Sequence, residues 1–253
     1  MQRVPIVAGN WKMNTTAQSA RGLVEAITAG GLDAVANVEK VLCPPFVYLS
    51  LVAELTKGTS LQVGAQDLYW EEKGAFTGEV SGPMLRDFAT HVIIGHSERR
   101  AYFHETDEVV NRKLKAALAH GLVPILCVGE TREQREVGAM SSVLRHQMGA
   151  ALHGVDLPPS AVIAYEPVWA IGTGVAATAA DANHAITWIR EQVAELCGEA
   201  VASAVRVLYG GSVTPANITD FAGQLEVDGA LVGGASLVAD SFIQIVRAVA
   251  DVA

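Results

Sequence analysis

Eight short apolar runs recur along the chain at nearly even spacing, and this repetition constrains the fold more than any other feature. They are PIVAGNW (5–11), VEKVLC (38–43), LQVGAQ (61–66), HVIIG (91–95), LVPILCV (122–128), AVIAYE (161–166), VRVLYGG (205–211) and DGALVGG (228–234). Segments with helical spacing lie between most of these runs, at 17–29, 109–119, 141–152, 182–196 and 236–249. The repeating unit is therefore a strand followed by a helix.

The runs are almost continuously apolar, which is typical of parallel strands that are covered on both faces. Dividing 253 residues among eight runs gives about 32 residues per unit, as expected for a closed (β/α)8 barrel of the α/β class. An open, doubly wound sheet is the alternative, because the number of strands alone does not establish closure.

Pro124 cannot donate to a strand ladder, so we expect the fifth strand to begin nearer Ile125. No linker or low-complexity segment divides the chain, which predicts a single domain over residues 1–253.

Composition excludes several classes of function. The formal net charge is −9 and the basic residues are scattered, which argues against a nucleic acid or an anionic membrane as partner. No run reaches the roughly 18 apolar residues of a membrane span, and the first residues do not resemble a signal peptide, so we expect a cytoplasmic protein. An anionic small-molecule ligand would need a cation placed close to it and backbone N–H groups at helix starts.

Neither cysteine nor histidine spacing indicates a metal or a disulfide. Cys43, Cys127 and Cys197 are widely separated and form no CxxC pair, so the sequence suggests neither a disulfide framework nor a zinc site. The histidines show neither HxH nor HExxH spacing, and no metal is predicted.

Polar residues gather where the predicted strands end. The strand ends are Asn10-Trp11-Lys12, Gly95-His96-Ser97-Glu98, Glu166, Gly210-Gly211-Ser212 and Gly233-Gly234, after the first, fourth, sixth, seventh and eighth runs. Active sites of such barrels lie at the carboxyl ends of the strands. We therefore expect an acid, an imidazole, an ammonium group, an amide and two glycine turns to face one cavity.

One motif indicates a different kind of site, one that binds a dinucleotide. Residues 172–177 fit the GxGxxG/A dinucleotide fingerprint, with Glu191 about twenty residues further on. Five residues, including Pro167, separate Glu166 from the first glycine, whereas the fingerprint needs its turn directly after the strand. Thr178 and Asp181 have the spacing of a helix N-cap, which would start the next helix after the motif. A nucleotide cofactor is therefore not predicted.

The motifs AGNWKMN, GAFTGEVS, IIGHSERR, AYEPVWAIGTG, YGGSV and LVGGAS follow one another between Ala8 and Ser236. In this order they resemble the triosephosphate isomerase family over nearly the whole chain. The resemblance implies a TIM barrel that interconverts dihydroxyacetone phosphate and D-glyceraldehyde 3-phosphate through an enediolate, in glycolysis and gluconeogenesis. It also implies that no cofactor is needed and that the protein is a homodimer.

The resemblance assigns roles to the residues at the strand ends. Glu166 matches the base that removes a carbon-bound proton, and His96 matches a neutral imidazole that donates to the substrate carbonyl oxygen. The start of a helix at His96 would itself disfavour the imidazolium form. Asn10 and Lys12 match an oxygen-binding amide and a cation near the substrate, and Glu98 matches an acid that orients Lys12.

The remaining implied residues bind phosphate, cover the site or contact a second subunit. Gly172, Ser212, Gly233 and Gly234 match phosphate contacts made largely through backbone N–H groups, and Thr77 matches a residue that approaches the neighbouring subunit's site. The implied lid comprises Pro167, Val168, Trp169, Ala170, Ile171, Gly172, Thr173, Gly174, Val175, Ala176 and Ala177. It departs from the family at Val175-Ala176-Ala177, where lysine and threonine commonly follow the glycines, and we expect the reaction to survive this change.

Two other functions remain to be compared with the isomerase. One is a different phosphosugar barrel, an epimerase or lyase that shares the phosphate turns but not the acid, histidine and lysine. The other is a catalytically silent phosphate-binding or structural barrel. Both are disfavoured because Asn10, Lys12, His96 and Glu166 are all present.

Overall fold

The computed structural model describes residues 3–171 and 177–253. Eight parallel strands form a closed barrel in which each strand pairs with the next and β8 pairs with β1. The strands are β1 (Ile6–Asn10), β2 (Glu39–Cys43), β3 (Leu61–Ala65), β4 (His91–Ile94), β5 (Val123–Val128), β6 (Val162–Tyr165), β7 (Arg206–Tyr209) and β8 (Gly229–Val232). All eight predicted strands are confirmed, and the pairing of Ile6 with Gly229 excludes the open sheet.

The strands are apolar on both faces because each face packs against a different layer. One set of side chains fills the barrel interior: Ile6, Ala8, Val41, Cys43, Ile93, Ile125, Cys127, Val162, Ala164, Leu208 and Leu231. The alternate residues, such as Val7, Leu42 and Ile94, belong to a larger cluster that includes the surrounding helices. This two-sided burial explains why the runs are continuous in hydrophobicity.

The expectation that the fifth strand begins near Ile125 is wrong. β5 begins at Val123, and Pro124 pairs in register with Val92 of β4. The pairing of β5 with β6 begins only at Ile125, opposite Val162. Pro124 therefore precedes the second ladder, at the start of the strand, where a missing N–H group is tolerated.

Helices surround the barrel, and the predicted helical segments are confirmed with ends displaced by a few residues. The helices are α1 (Ala17–Ala29), α2 (Leu49–Leu55), α3 (Gly82–Arg86), α4 (Ser97–Tyr102), α5 (Asp107–Ala119), α6 (Arg132–Glu136), α7 (Met140–Ala151), α8 (Ala179–Cys197), α9 (Glu199–Ala204), α10 (Ile218–Ala222) and α11 (Ala239–Val252). Thr178 caps α8 by accepting a hydrogen bond from the Asp181 N–H at 3.0 Å, as its spacing predicted.

The last helix differs from the prediction. The segment after Gly233 forms a 3-10 turn at Gly234–Leu237, and α11 begins only at Ala239. The glycine pair therefore opens a short 3-10 turn and not the long helix. The Ser236 hydroxyl donates to the Gly233 carbonyl at 2.7 Å, which stabilises this turn locally.

The connection between β3 and α3 is long and is ordered by its own aromatic residues. Tyr69 stacks on Trp70 with ring centroids 4.1 Å apart and contacts Phe76 at 4.7 Å. The Tyr69 N–H also donates to the Val80 carbonyl at 2.8 Å, which joins the two ends of the loop. Thr77 lies in this loop and is exposed.

In the part of the chain that the structure describes, none of the helices has the length and apolar character needed to cross a membrane. The three cysteines are free thiols, and Cys43 and Cys127 are buried.

Candidate active site

A cavity of about 820 Å³ opens at the carboxyl ends of the strands. It brings together the predicted site residues that the structure describes at the strand ends: Asn10, Lys12, His96, Glu98, Glu166, Ser212, Gly233 and Gly234. These residues come from five different strands, so only closure of the barrel makes them neighbours. The closed barrel thus places these eight residues around one cavity.

Glu166 follows β6 directly and is only 1% exposed. Its carboxylate accepts a hydrogen bond from the Ser97 N–H at 2.9 Å and from the Ser97 hydroxyl at 3.2 Å. The Nε2 atom of His96 lies 3.0 Å from the Oε1 atom of Glu166. A buried carboxylate is therefore supported by three polar contacts from the start of α4.

These contacts determine the acidity of Glu166. Burial alone raises the pKa of the carboxyl group, but His96 and the two Ser97 donors lower it further than burial raises it. The net pKa lies below the ordinary value of 4.5, so the group is ionised in this arrangement. A carboxylate with these partners is a weak base, and loss of the partners would strengthen it.

Ser97 stands at one of the predicted strand ends, but the sequence analysis assigned it no role in the site. It has no motif of its own, and the only available signal was its place in the first turn of the helix that His96 begins. Its contact with Glu166 joins residues 69 positions apart in the sequence, which no local pattern reports.

His96 is the N-cap residue of α4, as the sequence predicted. Its Nδ1 atom accepts a hydrogen bond from the Glu98 N–H at 3.2 Å, which requires a lone pair on that nitrogen. The remaining proton is then on Nε2 and is directed at Glu166. This pattern fits a neutral imidazole in one tautomer.

The expected direction of the pKa shift of His96 is wrong for this arrangement. Burial lowers the pKa of the ring, but the adjacent Glu166 carboxylate raises it by more, so the net change is upward. The Glu166 carboxylate affects the pKa of His96 more than the helix N-terminus does, because it bears a full negative charge at contact distance in a buried site. If Glu166 turned away, this contribution would disappear.

Lys12 is held in a strained backbone conformation. Its φ angle is +53°, in the left-handed region, where a non-glycine residue costs about 1–3 kcal/mol. Its N–H donates to the Asn10 side chain at 3.1 Å, and its carbonyl accepts from Gln66 at 2.9 Å. The ammonium group donates to Glu98 at 2.5 Å. The predicted pairing of Lys12 with Glu98 is therefore present.

The glycine turn after β8 lies beside this cation, and the turn after β7 lines the same cavity. A Cβ atom at Gly233 would be 3.6 Å from the Cε atom of Lys12. The Ser212 carbonyl accepts a hydrogen bond from the Asn217 side chain at 3.0 Å, which fixes the turn after β7. Exposed backbone N–H groups beside an ammonium group form a suitable environment for an anion.

Part of the predicted lid is described. Val168 and Ile171 line the cavity, Ala170 and Ala177 are buried, and the Trp169 indole N–H donates to Glu130 at 2.9 Å. Pro167 is followed by a 3-10 turn at Val168–Ala170. The predictions for Gly172, Thr173, Gly174, Val175 and Ala176 lie outside the described residues. Most of the rejected dinucleotide motif lies there too.

Thr77 is not among the residues that line the cavity of its own chain. Within the described ranges, 3–171 and 177–253, there is also no group of three or more histidine, cysteine, aspartate or glutamate side chains that could hold a metal ion.

The fold and site together define a TIM-barrel protein with a buried carboxylate, an imidazole and an ammonium group at the carboxyl ends of its strands. Residues 5–249 match the family model described as triosephosphate isomerase. The chain is 52% identical over 247 residues to the triosephosphate isomerase of Dehalococcoides mccartyi, covering 98% of each chain. It is 54% identical over 248 residues to that of a Roseiflexus species, covering 97% of each, and 53% identical to that of Moorella thermoacetica, covering 97% of this chain and 98% of the relative. The chain belongs to the triosephosphate isomerase family and is an isomerase.

Proposed function

We propose that this chain interconverts dihydroxyacetone phosphate and D-glyceraldehyde 3-phosphate, as one catalytic domain acting in glycolysis and gluconeogenesis in the cytoplasm. The observation that carries the proposal is the buried contact of 3.0 Å between Glu166 and His96, in the same cavity as Lys12. A proton shift between adjacent carbons needs a base for the C–H proton and donors for the oxygen that becomes negative. These three side chains supply both.

Glu166 is the base in this mechanism. When substrate enters, the carboxylate leaves Ser97 and His96 and turns to the carbon-bound proton. Loss of the hydrogen bonds that lower its pKa leaves burial, which raises it, so the carboxylate becomes a stronger base when it is needed. The carbon–hydrogen bond breaks, its electron pair forms the enediolate, and the resulting carboxylic acid returns the proton to the neighbouring carbon.

His96, Lys12 and Asn10 stabilise the enediolate. With Glu166 turned away, the Nε2–H group of His96 is available to donate to the substrate oxygen, and the Glu98 N–H keeps Nδ1 unprotonated. The reaction also moves one proton between the two substrate oxygens, and His96 assists this transfer. Lys12 and Asn10 add a positive charge and an amide donor, which are most effective in a site that excludes water.

The phosphate group binds at the other side of the cavity. Ser212, Gly233, Gly234 and Gly172 contribute backbone N–H donors, and the lid from Pro167 to Ala177 covers the site and expels water. With a net charge of −9, the protein attracts a phosphate only through such local groups. The reaction needs neither a metal nor an organic cofactor.

We also propose a homodimer in which the loop carrying Thr77 reaches the neighbouring subunit near Asn10 and Lys12. Large apolar side chains are exposed around this end of the barrel, including Met13 at 95%, Tyr102 at 74%, and Phe76 and Phe103. A partner that covered them would gain hydrophobic stabilisation.

An assay that couples glyceraldehyde 3-phosphate formation to NADH production tests the reaction with the purified chain and dihydroxyacetone phosphate. We expect turnover that is unchanged after dialysis against EDTA. In deuterium oxide, NMR should detect deuterium at the carbon next to the carbonyl group. An epimerase or a lyase would give other products, and a silent barrel would give neither product nor exchange. Either result would refute the proposal.

A further inference from the structure

The side chain of Gln147 makes two hydrogen bonds to the backbone of one residue, Gly129, directly after β5. The Gly129 N–H donates to the Gln147 side-chain oxygen at 2.9 Å, and the Gln147 amide donates to the Gly129 carbonyl at 3.1 Å. This pair of bonds ties helix α7 to the residue that follows β5, on the side of the barrel where Glu166 lies.

The 128–130 segment supports the backbone of Glu166 and the residues after it. The Glu166 N–H donates to the Val128 carbonyl at 2.8 Å, and the Val168 N–H donates to the Glu130 carbonyl at 3.1 Å. Between these bonds the 128–130 segment and the backbone at Glu166 approach closely. A Cβ atom at Gly129 would lie 1.7 Å from the Glu166 carbonyl oxygen. Movement of Gly129 toward Glu166 would therefore push the Glu166 backbone, and the two hydrogen bonds link the segments in the other directions.

Packing alone does not hold the 128–130 segment on its outer side. A cavity of about 310 Å³ lies there, lined by Val128, Gly129, Gln147 and Glu166 among others. Backbone that borders a cavity makes fewer side-chain packing contacts than backbone that is packed on all sides. The paired hydrogen bonds from Gln147 supply a directional restraint at this point.

We propose that Gln147 is a positioning residue that fixes the catalytic geometry of Glu166 by holding Gly129. This role rests on the proposed function, because it concerns where the base is placed relative to the substrate carbon. Gln147 touches neither substrate nor the carboxylate. It acts through the backbone of Gly129, which lies against the Glu166 backbone.

Two variants test the proposal. Gln147→Met keeps the length of the side chain and removes both hydrogen bonds. We expect kcat to fall about tenfold, with KM and the phosphoglycolate inhibition constant changed less than about twofold, because small displacements of a base affect chemistry more than binding.

Gln147→Glu keeps the acceptor for the Gly129 N–H but places a second acceptor against the Gly129 carbonyl. Protonation of that carboxylate restores a donor, and the facing carbonyl oxygen raises its pKa above the ordinary value of about 4.3, so the ratio of its kcat to the wild-type kcat should rise as the pH falls from about 8 to about 4.5.

Leu144→Val is the matched control on the same helix. Leu144 is fully buried, and its apolar side chain cannot make the bonds that Gln147 makes. This variant should lower the melting temperature and leave kcat at 25 °C unchanged.

The proposal fails if Gln147→Met retains wild-type kcat. It also fails if the loss of kcat in Gln147→Met is fully accounted for by the fraction of the protein that is unfolded. If Gln147→Met does not fold, a constant ratio of Gln147→Glu to wild-type kcat across this pH range overturns the proposal. A wild-type chain without isomerase activity would refute the proposed function and this role with it.

Discussion

Glu39 begins β2 at the end of the barrel opposite the active site, where its carboxylate pairs with Arg206 and lies 3.2 Å from the Nε2 atom of His91. Burial raises the pKa of Glu39, but His91 and Arg206 lower it by more, to about 2 from an ordinary 4.5. Because the folded-state pKa lies below the unfolded value, the stabilisation is present above about pH 4.5. It is lost as the pH falls towards 2.

The pKa difference sets the size of the effect. A change from 4.5 to about 2 corresponds to roughly 3 kcal/mol. The side chain is 18% exposed, and solvent screening reduces the figure to about 2 kcal/mol. We therefore expect Glu39→Gln to lower the free energy of unfolding by about 2 kcal/mol at pH 7 and by clearly less at pH 3.5.

Urea unfolding of the wild type and of Glu39→Gln, followed by circular dichroism at pH 7, 5, 4 and 3.5, measures this difference. The control is Glu54→Gln, which removes an exposed ion pair with Lys57 and should change stability by less than about 0.5 kcal/mol. Because Glu39 lies far from the cavity, kcat should not change. A destabilisation that stayed constant from pH 7 to pH 3.5 would refute this electrostatic account.

Three further predictions concern the site and the assembly. Lys12→Met should lower kcat/KM by at least about a hundredfold with little change in melting temperature, because it removes the positive charge from the cavity; a loss below tenfold would contradict that role. Val175→Lys should change kcat in steady-state assays by less than about a hundredfold, or roughly 3 kcal/mol of activation free energy; a larger loss would indicate that the lid depends on its own residues. Size-exclusion chromatography with light scattering should give a dimer mass, and a fully active monomer would exclude the proposed interface.

The strands could be predicted from sequence because each is buried on two sides and so leaves a continuous apolar run. The position of the site followed from the same observation, since Asn10 ends its strand and His96 and Glu166 follow theirs within two residues. The start of β5 could not be predicted, because a proline is tolerated in this strand only if β6 begins to pair after it. That depends on the register between the two strands, and β6 pairs from Ile125 onward. The start of α11 was misplaced because the 3-10 turn at Gly234–Leu237 has a helix-like pattern.

Contacts between distant residues account for what the sequence did not reveal. The pKa of His96 moves upward because Glu166 is its neighbour, although the two residues are 70 positions apart in the chain. Ser97 and Gln147 likewise act through hydrogen bonds to residues that follow other strands, Glu166 and Gly129. Neither belongs to a sequence motif that predicts such a contact. Local patterns predict which residues end a strand, whereas the closed barrel determines which of them touch.

The kinetic effect of Glu166→Asp tests the central claim most directly. Shortening the side chain by one methylene group withdraws the carboxylate from the substrate carbon and leaves its charge. The account predicts that kcat falls by at least about a hundredfold while phosphoglycolate affinity and melting temperature stay near their wild-type values. If kcat and affinity were both unchanged, Glu166 would not be the base.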